Sequence, residues 1–580
     1  MHYISFFLFL AGLFITNFIH SQNLPLQKQT SSVFTAPIDI PMLLSSNYGE
    51  YRSNHFHAGI DIKTEQVEGK NVLAADAGYV YRIAVQSGGY GKAVYMKHPD
   101  GKVTVYCHLN RFEPALEKFV KEHQYRKKSF EVDLNPNADL FTFHQGGLLG
   151  FSGNSGGSEG PHLHFEVRDR SGSVPINPLN FGLAIKDKTN PKIKWLMIYP
   201  LDPYSKVNGA DQKMLVQVNG KNGNHFIAPD TVNVSGNIGI GIEAYDYLDN
   251  SSNECGLYTL SLMLDDNQLY LCRIDSIPFS STGYINSYID YEEKIRSGKK
   301  IQKLFVDPNN RLTIYKVASN RGIIQLKDSA VHAIRIIVKD TYGNESVLRF
   351  NLRSAAIADV LQPWAMDSTV VARFAYDSLN VYENHDIRIA VPRDALFDNI
   401  DFQYAQVNND SISFSAIHQV HNEYTPLFKS YILSIRPGEL PLSLNAKALI
   451  ASRATDGTWV SQGGEFRNGF VTARVKVFGR FIVTVDTVPP DILPVAFKTG
   501  GMYAENQVIS FNVTDSLSGI RKYAGYIDKN WALFEYDAKS DLLTYTIDGS
   551  KLDKNRVHPV EIYITDNKDN VTRYQADFYY

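Results

Sequence analysis

The chain has 580 residues, 58 of them basic and 61 acidic, so its net charge is only −3. A charge this small gives no electrostatic field that would argue for nucleic acid or an anionic membrane as the partner. Because single hydrophobic cores stop growing near about 250 to 300 residues, the chain is expected to form several domains. Its 34 tyrosines, 32 phenylalanines and 40 glycines, with many Val, Ile and Thr alternations, favour strands over long helices. We therefore predict a mostly β protein.

An apolar run from Ile4 to Ile19 opens the chain and is typical of a secretory signal peptide. The run is shorter than the roughly 20 residues that a membrane-spanning helix needs, and no stop-transfer charges follow it. We predict a signal peptide over residues 1–21, with an uncleaved anchor as the alternative. The mature protein would then be exported to the periplasm or cell envelope.

The predicted first domain, residues 38–185, contains eight of the sixteen histidines. Its strand-like runs are separated by short glycine turns, which favours an antiparallel sheet. Residues 113–144 interrupt this rhythm with apolar side chains at helix-like spacing, so we predict an insertion that flanks the histidine-rich site. The strand-like runs are residues 71–75, 78–83, 93–98 and 103–109.

Two short clusters in this domain supply the residue types of a catalytic zinc site: His57 and Asp61, then His162 and His164. A catalytic zinc ion takes three protein ligands and keeps a fourth position open for water. Side chains two or four residues apart in an extended chain project from one face, so two strand faces could meet around one ion. The expected ligands are His57, Asp61 and one histidine of the second cluster.

No His-Glu-x-x-His sequence occurs, so a general base must come from elsewhere in the domain. His108 and the remaining histidine of His162 and His164 are the available groups that titrate near neutrality. Cys107 stands beside His108 and raises a nucleophilic Cys/His pair as an alternative. Since adjacent residues on a strand point to opposite faces, we expect Cys107 to turn away from the site as a small buried residue.

These motifs resemble the signatures of the lysostaphin-type zinc metallopeptidases, which cut peptide bonds in bacterial cell walls. The signatures are His-x-x-x-Asp, a later Tyr-x-His-Leu, and Gly-Pro-His-Leu-His-Phe-Glu, and all three occur here in order. The resemblance implies that His57, Asp61 and His164 bind Zn²⁺. It also implies that His108 and His162 are catalytic residues. It covers less than a quarter of the chain.

The remainder of the chain reads as β segments, and one pattern occurs twice. A histidine is followed by a strand-like run, an aspartate eight residues later and an asparagine four residues after that. We predict tandem immunoglobulin-like β-sandwiches at residues 190–353 and 489–580, with another β domain at 355–486 between them. The residues of the two copies are His332, Asp340 and Asn344, then His558, Asp566 and Asn570.

Two local features of these β domains allow more than one interpretation. The Asp-x-x-x-Asn ending suits a tight turn in which the side chains bond their own backbone, with a calcium site as the functional alternative. Cys255 and Cys272 flank a hairpin-like segment, so a disulfide between them is possible in an oxidising compartment.

By the family resemblance, we expect an exported zinc metalloendopeptidase that hydrolyses peptide bonds in peptidoglycan stem peptides or cross-links. The C-terminal β domains would position it on the wall or on an envelope protein. One alternative is a catalytically inactive envelope protein that binds or activates another cell-wall hydrolase. Another is a peptidase for exported proteins.

Overall fold

The computed structural model describes residues 33–354, 369–407 and 413–580. The predicted signal peptide, residues 1–21, lies outside these ranges. Within them, no helix is long and apolar enough to cross a bilayer, and the longest has 14 residues. Strands pair into sheets along the whole described chain, so the prediction of a mostly β protein is confirmed.

The N-terminal domain consists of short strands around a single α-helix. A 3-10 helix, Pro178–Phe181, ends it. The elements are β1 (Leu44–Ser46), β2 (Tyr51–Arg52), β3 (His55–Phe56), β4 (Ile60–Lys63), β5 (Asn71–Leu73), β6 (Gly78–Val85), β7 (Lys92–Lys97), β8 (Val103–Phe112), α1 (Pro114–Lys127), β9 (Val132–Leu134), β10 (Thr142–Phe143), β11 (Leu148–Ser152), β12 (His162–Arg168) and β13 (Pro175–Ile176).

The main sheet has the strand order β1-β4-β12-β8-β7-β6-β10, and neighbouring strands are antiparallel. β11 pairs with β5 and β8, while β2 and β3 form a separate hairpin. The four predicted strand-like runs form β5 to β8. The expected antiparallel sheet is therefore present.

Two central strands, β4 and β12, have one apolar face and one polar face. Ile60, Ile62, Leu163 and Phe165 are fully buried in the core of the domain. Because side chains alternate along a strand, the residues between them, such as Asp61, project from the opposite face. The apolar face fixes the strand register, and this register sets which polar side chains meet.

Helix α1 accounts for the helix-like spacing in the interrupting segment. The Glu113 side chain accepts hydrogen bonds from the first backbone N–H groups of the helix, and Lys128 ends it in the left-handed conformation. The exposed side of α1 contacts the C-terminal sandwich. Lys121 Nζ lies 2.8 Å from Asp548 Oδ2, and the ring of Tyr125 packs edge-on against another aromatic side chain there.

The domain that follows the N-terminal domain has two sheets that enclose a large apolar cluster. The smaller sheet is Met214–Gln217, Lys192–Pro200, Ile238–Tyr245 and Gln302–Lys303. The larger is Lys206–Val207, Asn224–Ser235, Glu345–Ser354, Val331–Lys339, Thr259–Leu264, Asn267–Arg273 and Tyr315–Ala318, with Asn219–Lys221 at its side. Its second and third strands are parallel. The connecting helices are Phe279–Tyr284, Ile285–Tyr288, Tyr291–Ser297 and Ser319–Gly322.

Two further pairs of sheets follow, each around its own apolar cluster. The first pair is Val370–Phe374, Ile400–Val407, Ile417–Val420, Gly479–Val485, Ala448–Arg453 and Trp459–Ser461 against Asn380–Glu383, Ile387–Val391, Tyr431–Ile435, Phe470–Val475 and Glu465–Arg467, with the 3-10 helix Leu442–Lys447. The last pair is Asp491–Pro494, Val508–Thr514, Leu542–Thr546 and Glu535–Asp537 against Asn530–Ala532, Ile520–Ile527, Val557–Asp566 and Val571–Tyr579. The domain boundaries predicted from sequence remain a proposal.

The Asp-x-x-x-Asn turn forms as predicted in both copies. Asp340 Oδ1 accepts hydrogen bonds from the backbone N–H groups of Tyr342 and Asn344, both at 2.8 Å. Asp566 Oδ1 accepts the equivalent bonds from Lys568 at 2.7 Å and Asn570 at 2.9 Å. These side chains therefore satisfy the backbone of each turn.

The disulfide alternative is wrong. Cys255 and Cys272 are both free and fully buried. Cys255 packs into the core of the N-terminal domain, whereas Cys272 lies in the core of the following sandwich. The hairpin between them does form, from the strands Thr259–Leu264 and Asn267–Arg273.

Candidate active site

Strand register brings the two predicted clusters together. Asp61 of β4 lies directly opposite His164 of β12, and antiparallel partners project their side chains from the same face. His57 comes from the loop between β3 and β4, so it reaches this face from the side. Gly59 permits this approach, because a Cβ atom there would lie 2.3 Å from the carbonyl oxygen of Phe165.

Replacing Gly59 with alanine is expected to destabilise the N-terminal domain, because the new methyl group collides with backbone that cannot move away. Overpacking costs about 1–3 kcal/mol, which lowers the thermal midpoint of a domain this size by about 2–12 °C. Gly160→Ala is the matched control, since nothing lies within 4 Å of a Cβ there. Scanning calorimetry of the full chain checks both, and equal midpoints for the two variants would contradict the argument.

Three potential ligand atoms converge on the polar face. His57 Nε2 lies 3.1 Å from Asp61 Oδ1 and 3.0 Å from His164 Nδ1. The third side of this triangle, from His164 Nδ1 to Asp61 Oδ1, is 2.9 Å. All three residues are buried.

The hydrogen bonds on the far sides of the two imidazoles fit a metal site. His57 Nδ1 lies 2.7 Å from the carbonyl oxygen of Asn47, and His164 Nε2 lies 2.9 Å from Glu166 Oε1. Donation to these acceptors places both N–H groups there and leaves two nitrogen lone pairs and a carboxylate facing one another. A tetrahedral zinc ion with bonds of about 2.0–2.2 Å needs ligands roughly 3.3 Å apart, close to the observed triangle. The donor set therefore fits zinc.

The electrostatics of the triangle favour an ionised Asp61. Burial alone would raise the pKa of this carboxyl, but the adjacent imidazoles of His57, His162 and His164 outweigh burial and hold the pKa well below its usual range. Asp61 also accepts a hydrogen bond on its other oxygen, where Arg52 Nη2 donates at 2.9 Å. The carboxylate is therefore fixed at both oxygens.

Glu166 is a functional candidate that the sequence argument missed. Its side chain is fully buried and accepts hydrogen bonds from Tyr90 Oη at 2.5 Å and Arg168 Nε at 2.6 Å, besides that of His164. Burial would raise its pKa, but Arg168 and His164 lower it to about 2. The signal was present in the sequence, because polar residues occupy every second position of β12 from His162 to Arg168.

The two remaining histidines lie beside the triangle. His108 Nδ1 lies 2.9 Å from the carbonyl oxygen of Ser155, and His162 Nδ1 lies 2.8 Å from that of Gly160. Both imidazoles can therefore keep Nε2 free of a proton. The two rings are 4.8 Å apart, and the ring of His108 lies 5.8 Å from that of His164. Burial, with the neighbouring His164 and His162, lowers the pKa of His108 to about 3.

The expected orientation of Cys107 is wrong because β8 contains a bulge. Lys92 of β7 pairs with Leu109, but Val94 pairs with Tyr106, so the two residues between them in β8 oppose one residue of β7. His108 has a left-handed φ of 60° at this point. Cys107 lies opposite His164 and therefore shares its face with the site.

The expectation that Cys107 is a small buried residue holds. Its thiol is fully buried, and burial with the nearby Glu166 carboxylate raises its pKa well above the usual range. A thiol held in this neutral form is a poor nucleophile.

A groove of about 1260 Å³ runs over the five predicted site residues. One wall comes from the second domain, through Asn253 and Glu254. None of the described residues that line the groove belongs to residues 113–144. The prediction that this segment flanks the site is therefore wrong, and α1 instead faces the C-terminal sandwich.

Comparisons with known proteins give the following matches. Residues 55–125 match Peptidase family M23, and residues 371–486 match the Zu5-like domain. A DD-carboxypeptidase/endopeptidase Mpg of Neisseria meningitidis serogroup B is 33% identical over 133 residues, 23% of this chain and 24% of that protein. An uncharacterized metalloprotease of Haemophilus influenzae is 34% identical over 127 residues, 22% of this chain and 21% of that protein.

Among solved structures, a mutant catalytic domain of the prophage-encoded M23 protein EnpA from Enterococcus faecalis is 25% identical. The alignment covers 26% of this chain and 98% of that one, with a TM-score of 0.20. The chain spans about a quarter of the length of the curated relatives it matches.

Proposed function

Since the N-terminal domain of this chain belongs to the lysostaphin-type peptidases of family M23, we propose that the protein is an exported zinc metalloendopeptidase. Its substrates are peptide bonds of peptidoglycan stem peptides or cross-links. The observation that carries this proposal is the triangle of His57, Asp61 and His164, whose unshared electron pairs converge within 3.1 Å in an open groove.

Each residue of the site has a distinct proposed role. His57 Nε2, Asp61 Oδ1 and His164 Nδ1 hold zinc. The ion supplies Lewis-acid chemistry, lowering the pKa of water toward about 7 and polarising a carbonyl group. Glu166 is a positioning residue, because its carboxylate fixes the tautomer and ring orientation of His164.

Proton transfer is assigned to the two histidines outside the triangle. One of His108 and His162 accepts the proton of the attacking water at Nε2, while the other stabilises the negative charge that develops on the carbonyl oxygen. Backbone carbonyls hold Nδ1 of both rings, so each Nε2 keeps a defined direction. The depressed pKa of His108 keeps this imidazole neutral at neutral pH.

The substrate class is supported by the groove and by the relatives. The groove is open to solvent, and its volume of about 1260 Å³ leaves room for a peptide. The Neisseria relative is named a DD-carboxypeptidase/endopeptidase, and the motifs of the site resemble those of lysostaphin-type peptidases, which cut peptide bonds in bacterial cell walls. Both charge signs line the groove, with Arg52 and Lys63 near Glu65 and Glu159, which suits a zwitterionic peptide better than a polyanion.

The C-terminal β domains are proposed to position the enzyme on the wall or on an envelope protein. The last sandwich already contacts the N-terminal domain beside the groove. Glu535 lies 3.0 Å from Lys92, and Lys539 Nζ donates to the carbonyl oxygen of Asn154 at 2.7 Å. A wall-binding surface on this sandwich would therefore be held at a fixed distance from the site.

The direct test is digestion of purified sacculi by the full chain, with product masses giving the bond cleaved. Soluble muropeptides are expected, their release stopping on chelation and returning with zinc. Binding to sacculi without release would favour the inactive envelope protein. Cleavage of folded and unfolded test proteins, while the sacculi remain undigested, would favour the peptidase for exported proteins.

A further inference from the structure

A second group of acidic side chains lies at the junction of the first two domains. One carboxylate oxygen from each of Asp187, Asp246 and Asp340 lies within 4.8 Å of the others. Asp187 belongs to the segment that leaves the N-terminal domain, Asp246 follows the strand Ile238–Tyr245, and Asp340 begins the Asp-x-x-x-Asn turn. Three separate chain segments therefore meet at this group.

Two of these carboxylates are buried with an unpartnered oxygen. Asp246 is 2% exposed and Asp187 is 8% exposed. Asp246 Oδ1 and Asp187 Oδ2 have no hydrogen-bond partner, although Asp187 Oδ1 accepts one from the backbone of Thr189 at 2.9 Å. Burying an ionised carboxylate without a partner is unfavourable, and buried charges are normally paired or bound to metals. The unpartnered oxygens therefore point to a ligand.

No positive side chain neutralises the group. Within the described ranges, Asp187, Asp246 and Asp340 form no ion pair with Lys, Arg or His. The charged side chains that face one another in this group are all carboxylates.

The repeat in the last sandwich contains a similar group. Asp486, Asp515 and Asp566 form an equivalent group there. In the first copy Asn344 Nδ2 donates to the backbone oxygen of Asp187 and to Asp340; in the last copy the matching asparagine donates to the backbone oxygen of Asp486 and to Asp566.

The two groups differ in the residue two positions after the turn aspartate. In the last copy this is Lys568, whose ammonium hydrogen-bonds the carbonyl oxygens of Ala448 and Gly464 and forms no ion pair with the group, but lies near enough to interact with the charges of Asp486 and Asp566. In the first copy the same position is Tyr342, which brings no positive charge. The first group therefore has the same carboxylates without the nearby ammonium.

We propose that Asp187, Asp246 and Asp340 bind a calcium ion that fixes the junction between the first two domains. The donors are all oxygens, which suits calcium, magnesium or manganese rather than zinc. Three chain segments give an irregular arrangement, which calcium tolerates and magnesium, with its strict octahedral geometry, does not.

Calcium binding would affect the groove through residues 246–255. This loop begins at the calcium ligand Asp246 and packs into the N-terminal domain through Leu248 and Cys255. Its residues Asn253 and Glu254 form part of the groove wall. Calcium therefore orders a segment that borders the proposed peptide-binding site, without contacting the zinc ligands.

The test is calcium titration of the full zinc-loaded chain by calorimetry and by thermal unfolding. The wild type is expected to bind calcium with a dissociation constant of about 10⁻⁴–10⁻³ M, as in extracellular modules, and to unfold at a higher temperature with calcium present. Asp246→Asn, which keeps the size of the side chain, is expected to bind at least about tenfold more weakly and to lose this shift. Asp515→Asn is the matched control and is expected to keep it.

Proteolysis within residues 246–255 gives a second measurement. Calcium is expected to slow cleavage there in the wild type and in Asp515→Asn, but not in Asp246→Asn. The proposal is overturned if calcium leaves the wild-type midpoint and cleavage rate unchanged, or if Asp246→Asn responds as the wild type does. Neither measurement involves peptidoglycan hydrolysis, so their failure would leave the proposed peptidase intact.

Discussion

Replacing His164 with alanine is expected to abolish both zinc binding and hydrolysis. The change removes one of three ligand atoms that lie within 3.1 Å of one another, and two remaining ligands cannot hold a catalytic zinc ion. Zinc content measured by mass spectrometry should fall from about one ion per chain to less than about a tenth. Muropeptide release should fall by at least about a thousandfold.

His164→Ala is expected to disturb the fold little, so a loss of zinc can be attributed to the missing ligand. Glu166 loses the hydrogen bond from His164 but keeps those from Tyr90 and Arg168. Its buried carboxylate therefore remains paired, and circular dichroism should be unchanged. His123→Ala is the matched control, because His123 hydrogen-bonds the backbone of its own helix and does not line the groove. Full zinc content in His164→Ala would contradict the assignment.

The convergence of Asp61 with His162 and His164 could be predicted from sequence because these three residues lie on strands, whose side chains alternate with a period of two. The spacing between His162 and His164 places both on one face of β12, and the pairing of β4 with β12 brings Asp61 to the same face. The spacing of residues along one strand does not reveal a β-bulge, where that strand has one more residue than its partner. The bulge at His108 was therefore missed, and with it the orientation of Cys107.

The groove wall is a second feature that local sequence patterns could not predict. Asn253 and Glu254 lie about two hundred residues from the first histidine cluster, and nothing in their own neighbourhood indicates a role at the site. In the same way, the spacing within residues 113–144 indicated a helix but not which side of it would be covered. Its partner is a sandwich more than 400 residues away, which it meets through Lys121 and Asp548.

The repeat in the β domains was easier to predict from sequence, because histidine, aspartate and asparagine recur at the same spacing in both copies. The Asp-x-x-x-Asn endings predicted a turn, and both turns have the expected side-chain to backbone bonds. The acidic groups were not predicted as groups, since Asp187 and Asp246 are 59 positions apart and meet only after folding. Calcium was an alternative for the turn aspartate alone, and the structure adds the other two carboxylates.

Replacing His108 with alanine is expected to separate chemistry from metal binding. His108 lies beside the triangle, its ring 5.8 Å from that of His164, but contributes none of the three converging atoms. Zinc content should therefore stay near one ion per chain. Turnover should fall by about 10²–10⁴-fold, the usual contribution of a positioned acid or base. Muropeptide release and metal analysis on the same preparation measure both quantities.

Comparison with His162→Ala tests the proposed roles of His108 and His162 most directly. The two imidazoles share the same kind of backbone anchor, to Ser155 and Gly160, and lie 4.8 Å apart. If the two residues share proton transfer and charge stabilisation, each single variant should retain zinc and lose turnover. The fold loss of turnover in the double variant should be smaller than the product of the two single-variant losses, because the residues act as a unit. Loss of zinc from His108→Ala would instead make His108 a ligand. Unchanged turnover would remove it from the mechanism and leave His162 as the base.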